Sequence, residues 1–330
     1  MQGIHISAMG CYLPAQVVKN QDFERLVETS DEWIVSHTGV RERRVSSGEP
    51  TWWMGVLAAR DALERGKIDA ASIDLILFTT VTPEYYTPAL ACIAQAHLGA
   101  HNAFALDLNC ACSGFVAALD MARRYLYTGG VDRVLIISAE RLSAITDYTD
   151  RSTCVLFGDG ASACVVERGE GLYSSHLSAD GMGASSLYAA HGEPAENPFA
   201  DPALAPEMPE IFQGEKLHMN GREVYRFATK TMAQEVRAAC FQAGIEVEEI
   251  DLVIPHQANV RIVETAMKLL GLPMERAYLN LEQLGNTSSA SIPLAMDEAL
   301  QKGAIQPGML VCAVGFGAGL TSGAVLLRWE

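Results

Sequence analysis

Residues 104–127 read FALDLNCACSGFVAALDMARRYLY, and the change of pattern inside them sets the fold class. The stretch opens as a short strand, FALDLN, and from Gly114 onward its apolar residues recur at helical spacing. Cys110, Ala111, Cys112 and Ser113 form the junction between the two patterns. The same alternation continues on both sides. Short β-branched runs at 74–80, 133–140, 162–168, 251–255 and 309–316 predict strands, and helical spacing appears at 52–65, 87–98, 114–127, 224–243, 260–270 and 289–301. Strands alternating with helices of ten or more residues are the signature of βαβ units, so the fold class is α/β.

Residues 193–213 interrupt the alternation with Pro194, Pro198, Pro202, Pro206 and Pro209 among acidic and small residues, and read as a surface connection. Two halves are therefore expected, 1–175 and 176–330. Each places a polar reactive residue just before a helix that begins with small residues, ACSGF in the first and GNTSSAS in the second. Alone, that similarity does not establish duplication.

The 330 residues are long enough to bury a large core, 49% being hydrophobic. With 40 acidic against 24 basic residues the formal charge is −16, which argues against a general nucleic-acid binder, although a local basic patch remains compatible with it. The eight cysteines contain no CxxC pair and read as reduced thiols of an intracellular, cytoplasmic protein. The N-terminus has no signal-peptide pattern. Residues 308–327 carry no charge over a length that could span a bilayer, yet five glycines favour a strand, a glycine turn and a second strand there.

Cys112 sits where unpaired helix N–H groups and the positive dipole end would stabilise a thiolate, which is how a nucleophile is made. A small buried core cysteine is the bland alternative. Cys110, two residues away on an extended segment, should face the opposite side, making the pair a poor metal clamp. His256, in PHQAN, follows an apolar strand and precedes a helix, where α/β proteins carry functional side chains; a structural hydrogen bonder is the alternative. Asn286, in GNTSSAS, lies in a glycine-bounded loop and could equally cap the next helix. Together the three supply a nucleophile and two hydrogen-bonding groups, a set suited to acyl transfer. GFGAGLTSG, at 315–323, lets backbone pass close to a substrate and aim N–H groups at a developing oxyanion. FGDGASA, at 157–163, matches neither a phosphate-binding loop nor a dinucleotide fingerprint.

With TSDEWIVSHTGVRERR (29–44), ACSGF, TDRSTCVLFGDGASA (149–163), MNGREVYRFA (219–228), PHQAN, GNTSSAS and GFGAGLTSG in this order, the chain resembles the β-ketoacyl-[acyl-carrier-protein] synthase III family almost end to end. The resemblance implies a thiolase-like fold of two similar halves stacked as α-β-α-β-α layers, and a cytoplasmic homodimer initiating fatty-acid synthesis. It implies that Cys112 is acylated by an acyl-CoA, that Gly317, Ala318 and Gly319 line the oxyanion and malonyl site with Phe316 as an apolar wall, and that His256 and Asn286 hold the thioester carbonyl of malonyl-[acyl-carrier protein] during decarboxylation. No metal or dissociable cofactor is implied. By the same resemblance Trp33, Arg151, Gly221, Asn259 and His37 contact coenzyme A, with His37 standing where many relatives have arginine. Arg222, Arg226, Arg261 and Lys268 are implied as the landing site for the acidic carrier protein. Thr87 aligns with an acyl-pocket wall contributed across the dimer, where acetyl-specific relatives carry phenylalanine, so longer primers are expected.

Three rivals remain at this level. A cysteine hydrolase uses cysteine, histidine and asparagine in the same chain order. A related acyltransferase or condensing enzyme of a secondary-metabolite pathway would keep Cys112 acylation with another acceptor. A non-enzymatic partner subunit would keep only the fold.

Overall fold

A computed structural model describes residues 2–128, 130–190, 198–199 and 216–330. The proline-rich connection at 193–213 lies, apart from Pro198 and Phe199, outside the described residues. In chain order the strands are β1 (Gly3–Tyr12), β2 (Gln16–Lys19), β3 (Glu42–Val45), β4 (Leu75–Thr79), β5 (Phe104–Leu108), β6 (Val134–Arg141), β7 (Asp159–Gly169), β8 (Tyr173–Ala179), β9 (Leu187–Ala189), β10 (Leu217–Met219), β11 (Leu252–Pro255), β12 (Leu310–Gly317) and β13 (Thr321–Arg328). The helices are α1 (Asn20–Phe23), α2 (Asp31–Thr38), α3 (Thr51–Gly66), α4 (Leu90–Leu98), α5 (Gly114–Thr128), α6 (Arg151–Cys154), α7 (Gly221–Ala243), α8 (Val260–Leu270), α9 (Leu281–Leu284) and α10 (Ser291–Gln301).

A five-stranded sheet has the order β1-β7-β6-β4-β5 and a four-stranded sheet the order β11-β12-β13-β8. In the first, β4 is parallel to β5 and β6, while β7 is antiparallel to β6 and β1. In the second, β11 is parallel to β12, and β13 is antiparallel to β12 and β8. The run β4-β6-β7-β1 thus has the same sense, strand for strand, as β11-β12-β13-β8. The structure supplies the internal repeat that the sequence shows only coarsely.

Side-chain alternation on these strands separates the layers. Leu75 and Leu77 of β4, and Val311 and Ala313 of β12, face a shared core that contains Phe115 and Leu119 of α5 and Ile292 and Met296 of α10. Ile76 and Phe78 face α3 and α4 on one outer side, whereas Cys312 and Val314 face α7 and α8 on the other. Because both faces of each sheet are covered, the strands read as continuous apolar runs, and each fully buried Leu, Ile or Phe contributes about 1.5–3 kcal/mol. The result is the five-layer α-β-α-β-α arrangement, with α5 and α10 in the middle.

Differences from the sequence reading are local. The helix expected from residue 87 begins at Leu90, because Pro88 disfavours helical backbone before it and the Asp107 carboxylate accepts the Leu90 and Ala91 N–H groups at 2.7 Å each. The uncharged stretch 308–327 forms β12, a turn and most of β13, and among the described residues no helix is long and apolar enough to cross a membrane. The chain passes from the first sheet to the second between Gly169 and Tyr173, so a division at 175 falls inside β8.

Candidate active site

Cys112 is the middle residue of a 3-10 turn, Ala111–Ser113, between β5 and α5. Its backbone is locked from below: the Cys110 carbonyl accepts from Ser113 Oγ at 2.7 Å and from Thr321 Oγ1 at 3.1 Å. Ala111 has φ +46°, a left-handed conformation that costs a residue with a side chain about 1–3 kcal/mol and is held here by those contacts. The segment is consequently not extended. Cys110 lines the same cavity as Cys112, contrary to the opposite-side placement expected from strand alternation.

The Cys112 thiol donates to Ser288 Oγ at 3.4 Å. Burial pushes its pKa up to about 12; the Glu140 carboxylate adds to the rise, and Ser288 and the Cys112 N–H oppose it. With its pKa raised, Cys112 rests as a thiol, against the expectation that the helix end alone would hold a thiolate.

His256 follows the last residue of β11, and its N–H donates to the Val314 carbonyl of β12 at 2.8 Å. The ring meets Phe316 edge-on, with centroids 5.2 Å apart at 71°. Nδ1 lies 2.6 Å from Ser291 Oγ. Burial pushes the His256 pKa down to about 3, so the imidazole is neutral at physiological pH.

Asn286 is fixed by a bridge between the halves: its N–H donates to Leu156 O at 2.9 Å, and its own carbonyl accepts from Gly158 N–H at 3.0 Å. That is the role of FGDGASA. A Cβ on Gly158 would stand 2.3 Å from the Leu284 carbonyl, so only glycine permits this approach. Asn286 Oδ1 accepts from Ser288 N–H at 2.8 Å, which caps the turn before α10 and leaves the amide Nδ2 as the free donor.

Glu140, at the end of β6, ties the two halves beneath these groups. Its carboxylate accepts from the Thr80 and Thr82 hydroxyls at 3.1 Å each, from Val81 N–H at 3.0 Å and from Ser289 Oγ at 2.6 Å. Glu140, Ser288 and Ser291 were missed in the sequence reading. The two serines stand inside the quoted GNTSSAS, and Glu140 closes the strand run ending at 140.

Cys112, His256, Asn286, Phe316, Gly317, Ala318 and Gly319 all line one cavity of about 670 Å³, within the range of small-molecule sites. A Cβ on Gly317 would lie 2.5 Å from Cys112 N, so the backbone of the glycine turn runs directly against Cys112. Trp33, His37, Gly221 and Asn259 line the same cavity. Trp33 stacks on His37 with centroids 4.3 Å apart, and the Arg151 guanidinium lies 4.7 Å from the Trp33 ring centroid. Asn259 is already engaged as the cap of α8 and donates to His37 O at 2.9 Å. Arg222 and Arg226 on α7, and Arg261 and Lys268 on α8, are exposed. Thr87 is exposed and stands outside the cavity lining of a single chain. Among the described residues, no group of three or more His, Cys, Asp or Glu side chains could hold a metal ion.

Residues 106–181 match the family described as 3-oxoacyl-[acyl-carrier-protein] synthase III, and residues 240–329 match its C-terminal family. Beta-ketoacyl-[acyl-carrier-protein] synthase III of Clostridium acetobutylicum is 44% identical, covering 100% of this chain and 99% of its own. The chain belongs to the β-ketoacyl-[acyl-carrier-protein] synthase III family. Solved structures of synthase III from Aquifex aeolicus and Thermus thermophilus superpose with TM-scores of 0.90 and 0.90 at 40% and 42% identity, each covering 99% of this chain and 100% and 99% of their own. Those full-length matches make the five-layer architecture the thiolase-like fold of the synthase III family.

Proposed function

We propose that the chain condenses an acyl-CoA primer with malonyl-[acyl-carrier protein] to give 3-oxoacyl-[acyl-carrier protein], coenzyme A and CO2, initiating fatty-acid synthesis. The observation that carries the reading is the convergence of Cys112, His256 and Asn286 on one cavity, with the Gly317–Gly319 backbone against the Cys112 N–H. Cys112 Sγ attacks the thioester carbonyl as its proton passes to Ser288 Oγ, its present hydrogen-bond acceptor, while the Ser288 hydroxyl gives up its own hydrogen in the same step toward the coenzyme A sulfur. Backbone N–H groups of Cys112 and the glycine turn stabilise the oxyanion. The bond to the coenzyme A sulfur breaks, and the departing thiolate takes up that hydrogen as a proton.

In the second half-reaction neutral His256 and the Asn286 amide donate to the malonyl thioester carbonyl, so that loss of CO2 leaves a stabilised enolate. Phe316 presents an apolar wall that favours departure of the carboxylate as neutral CO2. The enolate carbon attacks the Cys112 acyl group and expels the Cys112 thiolate, which takes up a proton from solvent to restore the thiol. Decarboxylation drives the carbon–carbon bond, and no dissociable cofactor takes part.

Coenzyme A enters along Trp33, His37, Arg151, Gly221 and Asn259, and the carrier protein docks on Arg222, Arg226, Arg261 and Lys268. The working unit is a cytoplasmic homodimer in which Thr87 closes the partner's acyl pocket. Support for pairing comes from the exposed Tyr85, Tyr86 and Phe104 around that loop and the edge strand β5. The hydrolase reading is disfavoured because Cys112 bonds to Ser288 and His256 to Ser291, with no hydrogen bond between Cys112 and His256 among the described residues to activate water.

The deciding experiment is intact mass with peptide mapping after mixing with acyl-CoAs from acetyl to dodecanoyl, followed by addition of malonyl-[acyl-carrier protein]. An adduct on Cys112, then a 3-oxoacyl carrier product, is expected. Free acid as the only product would overturn the condensing assignment. A preference for acetyl of more than about tenfold, near 1.4 kcal/mol, would overturn the reading of Thr87.

A further inference from the structure

Ser291, the first residue of α10, is buried beside the active-site histidine, at 1% exposure for each. Two polar contacts reach its hydroxyl oxygen. Gln257 N–H donates to it at 3.3 Å, and His256 Nδ1 lies 2.6 Å away. A hydroxyl has one hydrogen to give and can accept two. If Nδ1 carried the ring proton, Ser291 Oγ would accept from both neighbours and its own hydrogen would be left buried without an acceptor, a loss that costs about 1–3 kcal/mol. If Ser291 donates to Nδ1, the hydroxyl and both of its neighbours are satisfied, and the ring proton must sit on Nε2.

We propose that Ser291 is a positioning residue that fixes His256 in the Nε2–H tautomer, and that this makes the imidazole a hydrogen-bond donor toward the malonyl thioester. The second clause rests on the condensing reading above; the first does not. The neighbours favour neutral, fixed imidazole. Phe316 packs edge-on against the ring, and no ionisable side chain stands among the hydrogen-bond partners of His256 or Ser291 among the described residues. With no carboxylate to orient it, the ring takes its tautomer from a hydroxyl whose own direction is set by a backbone N–H.

The role differs from a structural one in which half-reaction it affects. Cys112 acylation uses the glycine turn and Ser288, not His256. Ser291→Ala should therefore load Cys112 from acyl-CoA within about twofold of the parent rate, while malonyl-[acyl-carrier protein] decarboxylation falls at least tenfold. Ser291→Thr, which keeps the hydroxyl, should restore most of the loss. Two-bond ¹H–¹⁵N spectra of histidine-labelled full-length protein read the tautomer directly. They should show a protonated Nε2 on His256 in the parent and a mixed or reversed tautomer in Ser291→Ala. A protonated Nδ1 in the parent, or an unchanged tautomer in Ser291→Ala, overturns the assignment. Parallel loss of acylation and decarboxylation in Ser291→Ala also overturns it, as a general packing effect. If His256→Ala keeps full decarboxylation, the condensing role of His256 fails, while the spectra still decide the part played by Ser291.

Discussion

Replacing Gly317 with alanine tests whether the backbone beside Cys112 is the oxyanion site. The added Cβ would stand 2.5 Å from Cys112 N, 3.0 Å from Ala111 Cβ and 3.2 Å from Cys112 Cα. Since ordinary contacts begin near 3.4 Å, the two backbones must separate by roughly 1 Å. The Cys112 turn cannot yield easily, because Ser113 and Thr321 both hold the Cys110 carbonyl and Ala111 is already strained. Catalytic geometry tolerates displacements of about 0.5 Å, so at least one oxyanion donor is lost, worth about 10²–10³ in rate or about 2.7–4 kcal/mol. Overpacking should cost a further ~1–3 kcal/mol of stability, visible as a lower melting temperature. The assay is single-turnover loading of Cys112 from the best primer by intact mass, with iodoacetamide alkylation of Cys112 as a control for access. Loading should fall by two orders of magnitude or more, while alkylation changes by less than about threefold. Loading within threefold of the parent would refute the placement of the oxyanion between these two strands of backbone.

Three further outcomes follow from the same geometry. Because the Cys112 pKa is raised to about 12, alkylation of the free protein should climb tenfold per pH unit between pH 7 and 9. A plateau below pH 8 would instead reveal a preformed thiolate. His256 is depressed to about 3 against 6.5 when unfolded, so the unfolded chain binds the extra proton below pH 6.5. Stability contributed by this group is complete above pH 6.5 and falls by about 1.4 kcal/mol per unit as pH drops toward 3; His256→Gln should flatten the acid limb of the denaturation curve, and an unchanged limb contradicts the burial account. Arg151→Ala should raise KM for acyl-CoA severalfold with kcat retained, because Arg151 packs over Trp33 beside the cavity and not against Cys112; an unchanged KM removes Arg151 from the coenzyme A path.

Much of the fold is legible because its strands are buried on both faces. Runs such as those of β4, β6 and β12 stand out as apolar blocks between helical patterns, and the turn between β12 and β13 announces itself by its glycines. β1 is absent from the sequence reading for a physical reason: its register shifts between Ile6 and Ala8, which breaks the alternation of an otherwise ordinary strand. Cys112, His256 and Asn286 were legible because each closes a strand or loop just before a helix. Ser288, Ser291 and Glu140 were not, since nothing in their composition says that they meet the first three. Serines next to a helix start read as caps, and a glutamate at a strand end reads as solvated. The resting state of Cys112 was also hidden, because a helix terminus is visible in sequence and burial is not.

The duplicated topology explains why the site lies where it does. Each half sends one helix, α5 or α10, into the central layer, and each helix is preceded by a 3-10 turn, Ala111–Ser113 or Ser288–Ala290. The first residue of each turn has the left-handed backbone, φ +46° at Ala111 and +49° at Ser288. Equivalent strain at equivalent places shows one device used twice: a strand or loop is turned abruptly so that a side chain projects past the end of a buried helix. Such strain persists only where surrounding structure over-determines it, and helices sandwiched between two sheets supply that constraint. The two turns face each other, so the first presents the Cys112 thiol and the second presents the Ser288 hydroxyl that accepts its hydrogen bond. A single half would have the turn without its counterpart. The proposed chemistry therefore draws on both halves, and Glu140, reaching from β6 to Ser289, ties the second turn to the first half.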